Sequence, residues 1–184
     1  MPPIVHEFDW PDRLVVGTVG QPGSRTFFLQ ARSGAQLISV ALEKEQSAAL
    51  AERIDEVLDE LMADEGNPFS IPALTSDELV DNDPLDQPVE EEFRAGVMSL
   101  GWDPSTAQIV IEAFPILEPD AEAIEPIEVV DPEQVLLVRI PVGTARAFAK
   151  RTREVVSAGR PLCPLCGVAM DSEDHICELP DGFR

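Results

Sequence analysis

The chain has 184 residues, 44% of them hydrophobic, and a formal net charge of −22 at pH 7. That is enough apolar material for one domain of ordinary size or two small halves sharing a core, while the charge disfavours generic binding to nucleic acid or to an anionic membrane. No apolar run approaches the length of a membrane span, and Met1-Pro2-Pro3-Ile4-Val5-His6-Glu7 lacks the charged start and apolar middle of a signal peptide, so a cytoplasmic location is expected.

Taken in order, Phe8 to Gly20 reads as a first strand, with Trp10-Pro11-Asp12 as its entry and Leu14-Val15-Val16-Gly17-Thr18-Val19 supplying β-branched residues. Gln21-Pro22-Gly23-Ser24 is a turn signal, because Pro presets the first central dihedral and Gly accepts the second. Arg25 to Arg32 is a second strand, Ser33-Gly34 a hairpin turn and Gln36 to Leu42 a third strand, which together predict an antiparallel meander. From about Lys44 the apolar period changes to that of a helix, with Leu50, Ile54, Val57, Leu58, Leu61 and Met62 on one face. These elements form a first half, residues 1–66. Residues 67–92 read as a polar, proline-containing connection that wraps the surface and ends in Glu90-Glu91-Glu92. Its carboxylates lack the spacing of a calcium loop, and a solvated charge run explains them better than a magnesium or calcium site.

Residues 93–160 repeat the plan. Arg94 to Gly101 matches Arg13 to Gly20, Ile109 to Ala113 matches Phe27 to Ala31, and Leu136 to Ile140 aligns with Ile38 to Leu42, running without a gap into a helix over about 144–158. The expected fold is therefore α+β, a duplicated βββα unit, its halves related by an approximate twofold axis. Coincidence between two ordinary amphipathic segments is the competing explanation. Residues 115–133 interrupt the second half with an acidic, proline-rich insertion where the first half has a tight turn. On the second helix Ala145, Phe148, Ala149, Thr152, Val155 and Val156 are expected inward and Arg146, Lys150, Arg151 and Arg153 outward, as a solvated face balancing nearby acids.

Residues 161–184 hold all three cysteines of the chain and one of its two histidines. Cys163-Pro164-Leu165-Cys166-Gly167 followed by His175-Ile176-Cys177 is a Cys3His pattern: a thiolate pair two residues apart can share one tetrahedral ion, and Gly167 permits the tight turn. Zinc is the expected metal, with Cys163, Cys166, His175 and Cys177 as ligands. Three thiolates and an imidazole leave no position for a catalytic water, so the site is expected to be structural, a zinc-knuckle-like module in which the ion replaces a core. Free or disulfide-bonded thiols, or a redox Cys-x-x-Cys, are the competing readings.

The stretch Gly17-Thr18-Val19-Gly20-Gln21-Pro22-Gly23-Ser24-Arg25-Thr26-Phe27-Phe28-Leu29-Gln30-Ala31, with Gly159 to Gly167 and His175-Ile176-Cys177, resembles an uncharacterised actinobacterial domain-of-unknown-function family of similar length. The resemblance covers essentially the whole chain. It implies a gene neighbourhood with a histidine-phosphatase-like protein and mycothiol-synthesis genes, and assigns no reaction and no catalytic residue.

Three functions compete on these residues. The first is a non-enzymatic interaction or adaptor protein that presents its acidic surface and zinc tail to a protein partner with a basic surface. The second is a hydrolase-like enzyme with a site between the halves, where carboxylates with Arg25 or Arg94 would have to act, since His175 is committed to metal, tyrosine is absent and His6 sits near the N-terminus as a surface histidine. The third is nucleic-acid binding through the zinc module and the basic second helix, which lacks interleaved aromatic residues and works against the net charge.

Overall fold

The computed structural model describes residues 2–21, 24–116 and 132–158. Within them the chain is α+β: seven strands in one mixed sheet and two long helices, with a short 3-10 turn at Asp77–Leu79. The strands are β1 (Ile4–Asp9), β2 (Arg13–Val19), β3 (Thr26–Ser33), β4 (Gln36–Leu42), β5 (Glu91–Asp103), β6 (Gln108–Pro115) and β7 (Gln134–Pro141). Helix α1 (Lys44–Met62) follows β4 and helix α2 (Val142–Ser157) follows β7.

The sheet order is β1-β7-β6-β5-β4-β3-β2. Each half contributes a meander, β2-β3-β4 and β5-β6-β7, joined where β4 and β5 pair in parallel. At this junction the last strand of one meander lies beside the first strand of the next, so the meanders sit side by side in tandem.

The expected first strand is two strands. Ile4–Asp9 pairs in parallel with β7 at one edge of the sheet, while Arg13–Val19 pairs with β3 at the other. Trp10, in the left-handed region at φ 54°, turns the corner and donates its backbone N–H to the Arg139 carbonyl at 3.0 Å. Only Trp10, Pro11 and Asp12 join the edges, a reach of about 14 Å from Asp9 to Arg13. Six strand spacings in a flat sheet would need about 29 Å. The sheet must therefore curl, and β1 does touch β3.

The core fills the inside of this curl. Alternation along the strands turns Leu14 and Val16, Phe27, Leu29 and Ala31, Val40 and Leu42, Ile109 and Ile111, and Leu136, Val138 and Ile140 inward. Both helices cover that face. Leu50, Ile54 and Leu58 on α1 and Ala145, Phe148, Ala149, Thr152 and Val156 on α2 are buried, as the helical period requires. Each large side chain so removed from water contributes about 1.5–3 kcal/mol. Arg146 and Arg151 depart from the expected outward face of α2, for both are buried.

Residues 63–90 form a belt. Asn67, at φ 44°, starts it: its side-chain oxygen accepts the Ile71 N–H at 3.0 Å and its amide donates to the Ile71 carbonyl at 2.9 Å. Phe69 meets Trp102 edge-on at 5.0 Å and Ile71 joins the core. The chain passes the helices, rounds the free edge of β2 and crosses the outer face of β2-β3-β4, where Leu85 packs on Val15, Phe28 and Ala41. Gly17 makes room for it, since a Cβ there would fall 2.6 Å from Leu85.

Candidate functional site

The seam between the halves is where α1 passes over β5. Helix α1 starts at Glu43, whose backbone N–H donates to the Gln46 side chain at 2.7 Å; the Gln46 amide in turn donates to the carbonyls of Ala95 at 3.0 Å and Gly96 at 2.9 Å. One glutamine thus closes the helix start and ties it to a bulge in β5. The register of β5 against β6 shifts between Ala95 and Met98. Before the bulge, Phe93 and Ala95 point to the core; after it, Met98, Leu100 and Trp102 pack against the core instead. Val97 is left 70% exposed. Gly96 lies flush against the chain, because a Cβ there would come within 3.0 Å of the Ile116 Cα.

The result is a groove of about 320 Å³ between a helical wall of Gln46, Ala49, Leu50 and Arg53 and a strand wall of Gly96, Met98, Ser99 and Leu100. Among the described residues its lining is chiefly apolar and includes no histidine, cysteine or carboxylate. Arg53 is the one charged residue of this described lining and holds Glu56 at 3.1 Å. Hydrolytic chemistry needs an acid, a base or a nucleophile converging on a reacting atom, and the described residues of this lining supply none.

The arginines are spent elsewhere. Arg13 on β2 grips Asp81 at 2.6 and 3.0 Å, the Asp83 carbonyl at 2.8 Å and Asp86 at 3.3 Å. The bond from Arg13 holds the Asp81 carboxyl below the usual carboxylate range, and Asp81 in return raises the Arg13 guanidinium. Arg32 also bonds Asp86 at 3.0 Å, and the Gln30 amide donates to Ser39 and to the Asp86 carbonyl. Arg151 reaches from α2 round the edge of the sheet to the carbonyls of Val16, Asp81 and Asp83 at 3.2, 2.5 and 2.8 Å. Burial pushes its pKa down. Arg146 clamps Asp55 at 2.8 Å, Asp59 at 2.6 Å and the Pro72 carbonyl at 2.9 Å, so the two helices and the belt share one guanidinium. Arg153 pairs with Asp55 and Lys150 with Asp77. Arg25 and Arg94, singled out in the sequence, are also engaged: Arg25 lies 4.9 Å from the centre of the Phe27 ring, and Arg94 binds Glu43.

His6 lies on β1, not on a loose terminus. Its Nε2 is 3.0 Å from Gln134 Oε1 and 3.6 Å from Glu92 Oε1. No nucleophile joins this trio in any contact among the described residues. No group of three or more His, Cys, Asp and Glu suited to a metal occurs among the described residues. The four expected zinc ligands, Cys163, Cys166, His175 and Cys177, lie outside the described residues, as does most of the acidic insertion.

The groove itself was not legible in the sequence. Gly96 was the one available signal, a glycine inside a strand pattern, which marks a bulge or a close backbone approach.

No curated protein and no solved structure matches the chain. Over residues 6–177 it matches the family described as "Protein of unknown function (DUF3090)". The match spans nearly the whole sequence, and the chain belongs to the DUF3090 family.

Proposed function

We propose that the chain is a non-enzymatic, zinc-containing interaction protein that binds a protein partner through complementary charge. The observation that supports this reading is the seam groove, whose described lining is an apolar seat without an acid, base or nucleophile. The hydrolase-like alternative needs groups that the groove lacks. Nucleic-acid binding loses its basic helix, because Arg146 and Arg151 are buried and Lys150 and Arg153 are paired with Asp77 and Asp55. A cytoplasmic location suits reduced thiols on a metal. No helix among the described residues is long and apolar enough to cross a membrane. The tandem order of the meanders is compatible with a duplicated βββα unit, and relatives aligned half against half should then keep one ungapped register. A register that drifts from relative to relative would refute the duplication.

Zinc at Cys163, Cys166, His175 and Cys177 serves this reading as a structural ion that orders the tail. Elemental analysis of protein purified without chelator should find about one zinc per chain. Cys166→Ser should abolish it while leaving the unfolding of the seven-stranded domain unchanged. Metal-free protein, or a native Cys163–Cys166 disulfide, would refute the site. Affinity capture from the native host at low and moderate salt tests the function: a reproducible partner whose capture weakens with salt is expected. Turnover of a small metabolite by the purified chain would replace this reading with an enzymatic one.

A further inference from the structure

The geometry points to the α1–β5 groove as the seat for a basic, amphipathic segment of a partner protein, an assignment that rests on the interaction reading above and narrows it to one surface. Size is the first argument. A volume near 320 Å³ falls at the bottom of the range of about 300–1,000 Å³ that holds small molecules and cofactors. It accommodates one or two apolar side chains more readily than a nucleotide. The floor of Leu50, Met98 and Leu100 suits such anchors, and methionine adapts its shape to what it meets.

The second argument is the apolar surface exposed at the same bulge of β5. The bulge that seats Met98 inward leaves Val97 70% exposed, and Ile116, packed beside Gly96, is 44% exposed. Exposed apolar side chains on and beside the strand that forms one groove wall mark this edge of the sheet as a contact surface.

Charge supplies the third. Along α1, Glu45, Glu52 and Glu56 are exposed at three- and four-residue spacings from Ala49 and Arg53, on the side that forms the groove wall. Arg53 is already paired with Glu56, so the rim is net acidic. An apolar seat with a carboxylate rim is the complement of apolar anchors flanked by Lys or Arg. The same rim repels acidic peptides and polyanions, and a second copy of this chain, at −22, would bring like charge to like.

The test uses the full-length zinc-loaded chain with 13C-methyl-labelled methionine and a fluorescein-labelled Leu/Lys amphipathic peptide as probe. Binding should shift the Met98 methyl resonance. Ala49→Trp, on the exposed wall, should fill the groove and weaken binding about tenfold or more, with an unchanged circular dichroism spectrum. Glu52→Lys should weaken it roughly threefold and flatten its salt dependence. Two companion peptides make the assignment falsifiable. A Ser/Lys peptide that binds as tightly shows charge association without a seat, and a Leu/Gln peptide that binds as tightly shows a seat without a basic requirement; either result overturns the proposal. So does an unmoved Met98 resonance. Capture of the same salt-sensitive partner by wild type and Ala49→Trp alike would overturn the groove assignment while leaving the interaction reading standing, whereas loss of all partners from wild type would remove that reading itself.

Discussion

Arg13 shows how single residues fix the belt. Its side chain is 8% exposed and faces two carboxylates, Asp81 and Asp86, donated by a segment some seventy positions downstream. Removing one partner of a buried pair leaves the other charge desolvated and costs about 3–5 kcal/mol. Asp81 is 31% exposed, so water screens part of the loss, and Asp81→Asn should cost about 2 kcal/mol at neutral pH. The pH dependence has a definite sign. Asp81 is depressed below its ordinary value of 3.8 in the folded chain, so its contribution is fully present above that pH and disappears as pH falls through the lower, folded value. Urea unfolding of wild type and Asp81→Asn should therefore differ at pH 6, and the difference should begin to shrink below about pH 4 and vanish only below the lower, folded value. A difference that persists unchanged into acid would show that Arg13 and Asp81 act by packing alone.

Among the elements, those set by local period were legible in advance. Strands β3 and β4 are largely apolar runs bounded by turn signals and are buried along most of their length, and α1 and α2 bury the faces that their spacing dictates. Features decided by distant chain were not. Strand β1 is short, and only β7, far along the sequence, makes it a strand. Arg146 and Arg151 look solvated on a helical wheel, yet Asp55, Asp59 and the carbonyls of Asp81 and Asp83 draw them inward. The bulge in β5 is a mismatch between two strands, so neither strand alone announces it. The belt offers a sharp test of such long-range fit. Gly17→Ala places a methyl where Leu85 now sits and should destabilise the fold by about 1–3 kcal/mol through overpacking. Combining it with Leu85→Ala should cost less than the sum of the two single changes, a coupling read by a double-mutant cycle in urea. Additive effects would mean that Leu85 does not rest on Gly17 in solution. Gly96→Ala should act at the seam, because the atom it would strike is the backbone of Ile116 and not a flexible side-chain tip. Its expected result is a weaker hold on the Leu/Lys peptide together with lower stability.

For the molecule as a whole, charge is divided by task. Nearly every described arginine is drawn into the fold, bracing the helices, the belt and the sheet edge, while the carboxylates remain in excess and mostly face water. Among the described residues, the seam between the tandem meanders is lined chiefly by apolar side chains and bordered by some of those carboxylates. The most direct measurement is photo-crosslinking in the native host from a reactive residue placed at Ala49 on the groove wall, with Glu154 on the exposed side of α2 as the control position. The account predicts a discrete protein adduct from position 49 that fades as salt is raised and does not form from position 154. Absence of any protein adduct at 49, together with turnover of a small metabolite that is lost on changing Arg53 or Glu92, would contradict it.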